Sequence, residues 1–170
     1  ETIERASKVG VKKMLTICTH FSRFDKVLAL ANTYDNLFCS VGIHPHHVQE
    51  EGFVTADELI SASKKPKVIG IGETGLDFYY KNTPHLDQEK SLRNHIVVAR
   101  ETQLPLIVHT RNADAKMATI LKEEMLLGNF PGVLHCFSSG QSLANTALEL
   151  DFYLSLSGIV TFKNAENLRK

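Results

Sequence analysis

Glu73, His109 and His135 could offer one carboxylate and two imidazoles to a divalent ion, although they are widely spaced along a chain of 170 residues. Mixed oxygen and nitrogen donors suit Zn²⁺, Mn²⁺ or a related ion without choosing among them. A carboxylate can also bridge two ions, which makes Glu73 the natural centre of a binuclear site. What joins these residues is their position: His20, His44, Glu73, His109 and His135 each stand at or just past the end of an apolar run. A single histidine in such a place is ordinarily a hydrogen-bonded loop or core residue, and His20 is given that role. Repetition of polar residues along one edge is what points to a site.

The elements that must position them follow from the apolar runs VKKMLTICT (11–19), LFCSVGI (37–43), KVIGIG (67–72), PLIVH (105–109), GVLHCF (132–137) and FYLSLSG (152–158). Each has strand length and no clean polar alternation, as expected of parallel strands covered on both faces. Helical stretches lie between them, at 22–34, 87–103, 114–127 and 141–150, with apolar residues at three-to-four spacing such as Leu92, Ile96, Ala99. Alternation of this kind implies βαβ units, and the repeat fits a doubly wound sheet or most of a barrel. GIGETG (70–75) lacks the G-x-G-x-x-G spacing of a dinucleotide fold. Polar residues repeated at the carboxyl ends of strands select the barrel, where those ends converge on one axis. The expected fold class is therefore α/β, an incomplete TIM (β/α)₈ barrel.

The remaining sequence is less specific. Nineteen basic and nineteen acidic residues cancel, so no overall charge draws the chain to a polyanion or a membrane. The three cysteines, Cys18, Cys39 and Cys136, lie in or beside apolar runs without C-x-x-C spacing and are expected to be reduced core residues. No apolar stretch reaches the length of a membrane span and no signal peptide is recognisable, which makes a cytoplasmic setting the default expectation. Asp77, Tyr79 and Tyr80 are assigned to shaping the loop after the third strand, with Gly75 permitting a turn. His85 and His95 are expected on the surface.

Taken in order, GIHPH (42–46), GIGETGLDFYY (70–80), PLIVHTR (105–111), LHCFSSG (134–140) and YLSLSGIVTF (153–162) resemble the TatD-type metal-dependent deoxyribonucleases over essentially the whole chain. The resemblance implies an amidohydrolase-like barrel that uses divalent ions, two per complete domain and drawn from Mg²⁺, Mn²⁺ or Zn²⁺, to hydrolyse phosphodiester bonds in DNA, typically from a 3′ end. By the same resemblance Glu73 is the catalytic, bridging metal ligand, and His109 and His135 are ligands of the second ion. His44 and His46 would lie near the scissile phosphate, His44 in a catalytic and His46 in a substrate-binding role. Arg111 is our own addition to the substrate-binding set, since its guanidinium could hold a phosphate oxygen; its ordinary alternative is pairing with a loop carboxylate. DNA is the expected partner, with no membrane and no obligate protein partner.

The family pattern also includes a first strand with His-x-His and a last strand with a metal-binding Asp, and neither is found here. Residues 11–158 match strands two to seven. The expectation is one partial barrel domain spanning 1–170, lacking the first and eighth strands and with little activity by itself. Two alternatives stand beside this: a hydrolase of the same architecture acting on a small amide, lactone or phosphoester, and a non-catalytic remnant serving as a binding module.

Overall fold

The computed structural model describes residues 1–169. After a first helix, α1 (Thr2–Lys8), strands and helices alternate: β1 (Met14–Thr16), α2 (Phe24–Asn32), β2 (Leu37–Val41), α3 (Val48–Glu51), α4 (Ala56–Ser63), β3 (Val68–Asp77), α5 (His85–Thr102), β4 (Leu106–Arg111), α6 (Asp114–Leu127), β5 (Gly132–Leu134), α7 (Gln141–Glu149), β6 (Tyr153–Leu154) and α8 (Glu166–Arg169). The strands form a single parallel sheet whose spatial order is the chain order, β1 to β6. Such an order is that of a barrel wall, and it excludes a doubly wound sheet, in which the order reverses at a switch point.

Strand side chains such as Val41, Ile71, Leu106, Val108 and Leu134 meet the apolar stripes of the helices in one buried cluster. Helix α5 contributes Leu92, Ile96, Val98 and Ala99, and α6 contributes Met117, Ile120 and Leu121. The start of α4 is fixed by a capping box in which Thr55 and Glu58 satisfy each other's backbone N–H groups. Between α5 and α6 the buried Glu124 accepts from Arg93 at 2.6 Å and from Arg100 at 2.8 Å, so its charge is met from two sides.

Several expectations are corrected. The strand expected over 67–72 runs on to Asp77, so Glu73 lies inside β3 rather than past its end. Conversely β1, β5 and β6 are shorter than their apolar runs, and Cys136, beyond the end of β5, is exposed while Cys18 and Cys39 are buried. His95 is buried and not on the surface: it lies on the same face of α5 as Leu92 and Ala99, and both ring nitrogens are engaged. His85 is exposed as expected. Among the described residues no helix is long and apolar enough to cross a membrane.

Candidate metal centre

Two close backbone approaches bring the polar residues together. A Cβ on Gly42 would stand 2.5 Å from the Cα of Gly72, so only glycine lets the chain leaving β2 lie against β3 and carry His44 beside Glu73. Gly75, at φ +147°, faces the His109 carbonyl so closely that any side chain would collide with it. The Glu73 N–H donates to the Cys18 carbonyl at 3.0 Å, and the Cys18 N–H donates to Ser40 Oγ at 3.0 Å, which ties β3 to the chain just beyond β1.

His109 is the hub. Its Nδ1 lies 3.3 Å from Glu73 Oε1 and its Nε2 lies 3.0 Å from Asp77 Oδ2. Asp77, given only a loop-shaping role by sequence, has that role and a second one. Oδ1 accepts the N–H groups of Tyr79 and Tyr80 at 3.0 Å each, while Oδ2 faces His109 Nε2 and, at 2.8 Å, His46 Nε2. Four donors fill the acceptor capacity of one carboxylate. Asp77 is thus an orienting group, and the open donors of the cluster are Glu73 and the Nδ1 side of His109.

The ionisation pattern pairs carboxylates with imidazoles, and the Nδ1 lone pair of His109 becomes open to an ion when that nitrogen is deprotonated. Burial alone would raise the Glu73 pKa, but the His109 hydrogen bond and the neighbouring His44, His109 and His135 imidazoles lower it, so Glu73 is a carboxylate. Burial would likewise raise Asp77, and the Tyr80 N–H with His46 and His109 lowers it instead. For His109 burial opposes the charged ring, yet the bonds to Glu73 and Asp77 prevail and its pKa is raised. His44 is pushed down to about 4, chiefly by burial and then by repulsion from His109. Its Nδ1 accepts the His46 N–H at 3.2 Å, so the neutral ring carries its proton on Nε2.

Donor atoms of His44, Glu73 and His109 lie within 4.8 Å of one another, as do those of His46, Asp77 and His109. The chemistry of the first group fits a divalent ion: an ionised carboxylate beside an imidazole nitrogen, with the opposite ring nitrogen hydrogen-bonded to a second carboxylate, is the usual support of a metal-ligating histidine. His135 belongs to neither group. It lines with His109, Arg111 and Cys136 a cavity of about 710 Å³, and its Nε2 lies 3.4 Å from Cys136 Sγ. Among the described residues Arg111 makes no pair with a loop carboxylate; its guanidinium lies 4.1 Å from the Tyr79 ring centre and 4.9 Å from that of Tyr80. His20 packs against His47, with ring centroids 3.6 Å apart.

This arrangement has relatives. The sequence matches the family described as TatD related DNase over residues 1–170. It is 37% identical over 169 residues to the uncharacterized metal-dependent hydrolase YcfH of Escherichia coli K12, covering 99% of this chain and 63% of YcfH. It is 29% identical to the 3′-5′ ssDNA/RNA exonuclease TatD of Salmonella typhimurium, covering 94% of the chain and 61% of that protein. The crystal structure of YJJV, a TatD homolog from E. coli K12, superposes with a TM-score of 0.88 at 30% identity, over 98% of this chain and 64% of that one. The chain thus spans less than two thirds of the length of these relatives. With the parallel sheet in barrel order and the carboxylate and histidine cluster on it, the match establishes that the chain belongs to the TatD-related DNase family of metal-dependent hydrolases.

Proposed function

We propose that the chain forms the ion-holding part of a metal-dependent hydrolase that cleaves phosphodiester bonds in DNA as an exonuclease. Its strands serve as strands two to seven of a (β/α)₈ barrel, with residues 1–170 in that one domain. The observation that carries this reading is the contact of Glu73 Oε1 with His109 Nδ1 at 3.3 Å, made by an imidazole whose other nitrogen is committed to Asp77. Glu73 and His109 would hold divalent ions of the Mg²⁺, Mn²⁺ or Zn²⁺ class, with His135 approaching from beyond the next strand. Such ions neutralise charge on non-bridging phosphate oxygens and lower the pKa of water toward neutrality.

The protein's own groups supply the rest. His44, neutral and protonated on Nε2, donates a hydrogen bond to a phosphate oxygen, and burial keeps it in that form. Arg111, stacked on Tyr79 and Tyr80, keeps its N–H fork available for a second phosphate contact. His46 stays on Asp77 and lines the approach. The exonuclease name of the Salmonella relative supports a nucleic-acid substrate. Because the chain spans only part of its relatives, the activity is assigned to the domain completed with the two strands that the resemblance implies, and the isolated residues 1–170 are assigned little turnover.

The test is to incubate that completed domain with each metal and either a 3′-labelled oligonucleotide or a panel of small amides, lactones and phosphoesters. Oligonucleotide cleavage is expected, with Glu73→Ala abolishing it and lowering metal content. Turnover confined to the small substrates, or wild-type cleavage by the Glu73→Ala variant, would overturn the proposal.

A further inference from the structure

A second group of donors lies beside the centre just described and shares no residue with it. His20 follows β1, and His47 and Glu50 follow β2, at the start and in the body of α3. Their donor atoms are mutually within 4.8 Å. His47 Nδ1 stands 3.2 Å from Glu50 Oε2, His20 Nε2 stands 3.8 Å from the same oxygen, and the two imidazole rings overlap with centroids 3.6 Å apart.

We propose that His20, His47 and Glu50 form a further metal site, taking a Zn²⁺-type ion through two imidazole nitrogens and one carboxylate oxygen. The distances suit it. Ligands about 2.0–2.1 Å from a tetrahedral ion stand roughly 3.3–3.4 Å from each other; the two imidazole-to-carboxylate separations, 3.2 and 3.8 Å, lie on either side of that value, and the two imidazole donors are within 4.8 Å of each other. Two histidines and a carboxylate are a known three-ligand zinc set, which leaves the fourth position to water.

The tautomers suit it as well. His20 Nδ1 lies 2.9 Å from Thr19 Oγ1, and when that nitrogen donates to the hydroxyl the lone pair of Nε2 is turned toward Glu50. A bond from the far nitrogen is how metal-ligating histidines are ordinarily held. Burial favours the neutral form of His20, which is the ligating form.

Hydrogen bonds between the two loops hold the scaffold. The His44 N–H donates to the Thr19 carbonyl at 3.0 Å, and Glu51 accepts the Ser22 N–H at 2.7 Å and the Ser22 hydroxyl at 2.6 Å. The loops after β1 and β2 are therefore joined on both sides of the histidine pair. Glu51 turns away to Ser22, while Glu50 turns in to the imidazoles. The site is also set apart from bulk solvent on one side only: the His20 side chain is 10% exposed and that of Glu50 60% exposed. Its neighbour is the proposed catalytic centre, since the His47 ring lies 6.0 Å from His44 and 6.4 Å from His46.

The decisive measurement uses the 170-residue chain carrying Glu73→Ala and His109→Ala, so that the other centre is silenced. Zinc is titrated calorimetrically and counted by elemental analysis after desalting. One equivalent is expected to remain, to resist competition by Mg²⁺, and to weaken about tenfold or more when His47→Ala or Glu50→Gln is added. Far-UV circular dichroism monitors folding. Should the doubly substituted chain fail to fold, His47→Ala alone is compared with the unsubstituted chain and should bind one zinc fewer. Zinc binding unchanged by His47→Ala and Glu50→Gln, or displaced readily by Mg²⁺, overturns the assignment. Loss of oligonucleotide cleavage elsewhere leaves this count untouched, which separates the two proposals.

Discussion

The buried His95 offers a sharp test because its ring is held between two backbone groups and, among the described residues, meets no carboxylate. Nδ1 donates to the Ser91 carbonyl at 2.7 Å, and Nε2 accepts the N–H of Ile43, the residue before His44, at 3.1 Å. Only the neutral ring can do both. Burial lowers the His95 pKa from 6.5 to about 4, and the Ser91 bond opposes that only partly. Since the folded pKa is depressed, the unfolded chain binds the extra proton first as pH falls. Stability from this group is complete above pH 6.5 and is lost progressively down to pH 4, by about 3 kcal/mol at 1.36 kcal/mol per pH unit. His95→Leu removes the titration but strands the Ile43 N–H, which costs about 1–3 kcal/mol at neutral pH. Urea unfolding of both chains from pH 7.5 to 4 should show the wild type ahead at the upper end and the advantage erased or reversed at the lower. A gap between the two curves that stays constant over this range would refute the neutral, doubly engaged ring.

Asp77→Asn keeps an oxygen for the Tyr79 and Tyr80 N–H groups but removes the charge facing His109, so metal affinity by calorimetry should fall about 10–100-fold while the loop stays folded. The same substitution should lower the His109 pKa, seen as a shift of its ring resonances with pH. Gly75→Ala sets a methyl group against the His109 carbonyl and should destabilise the chain by more than about 2 kcal/mol in thermal or urea unfolding. Glu124→Ala leaves Arg93 and Arg100 without their shared partner; about 2–3 kcal/mol is expected, below the fully buried range because both guanidinium groups retain access to water.

The parallel alternation and the meeting of Glu73 with His109 are legible in the sequence because both rest on simple regularities: apolar runs of strand length, and polar residues recurring at or near the ends of those runs. The end of β3 was hidden by its own chemistry. Glu73, Thr74 and Asp77 interrupt the apolar pattern, and it is neighbour β4, running beside β3 through Arg111, that keeps the strand going. The sequence pattern therefore puts Asp77 in a loop and carries no sign of its grip on His46 and His109. His95 carried a usable signal, since position 95 lies between Leu92 and Ala99 on the stripe that faces the core, but histidine at that position breaks the usual expectation of an apolar residue. The approach of His20 to His47 depends on how two loops pack, which no spacing within either loop encodes.

A sheet in which each strand bonds to the one that follows it in the chain bears on how the molecule assembles. No strand must await a distant partner, so growth can spread outward from one well-made pair, as a zipper closes from the middle. The longest ladder joins Ile71–Asp77 of β3 to Leu106–Arg111 of β4 across helix α5, whereas β5 and β6 meet over only Val133–Leu134 and Tyr153–Leu154. The expected nucleus of folding is therefore β3, α5 and β4, where φ-values should exceed those measured in β5 and β6. His109 is paired in that ladder, whereas Glu73 stands at its irregularity between Gly72 and Thr74 with its N–H on the Cys18 carbonyl, so the chain beyond β1 must dock as well before the two side chains are held together.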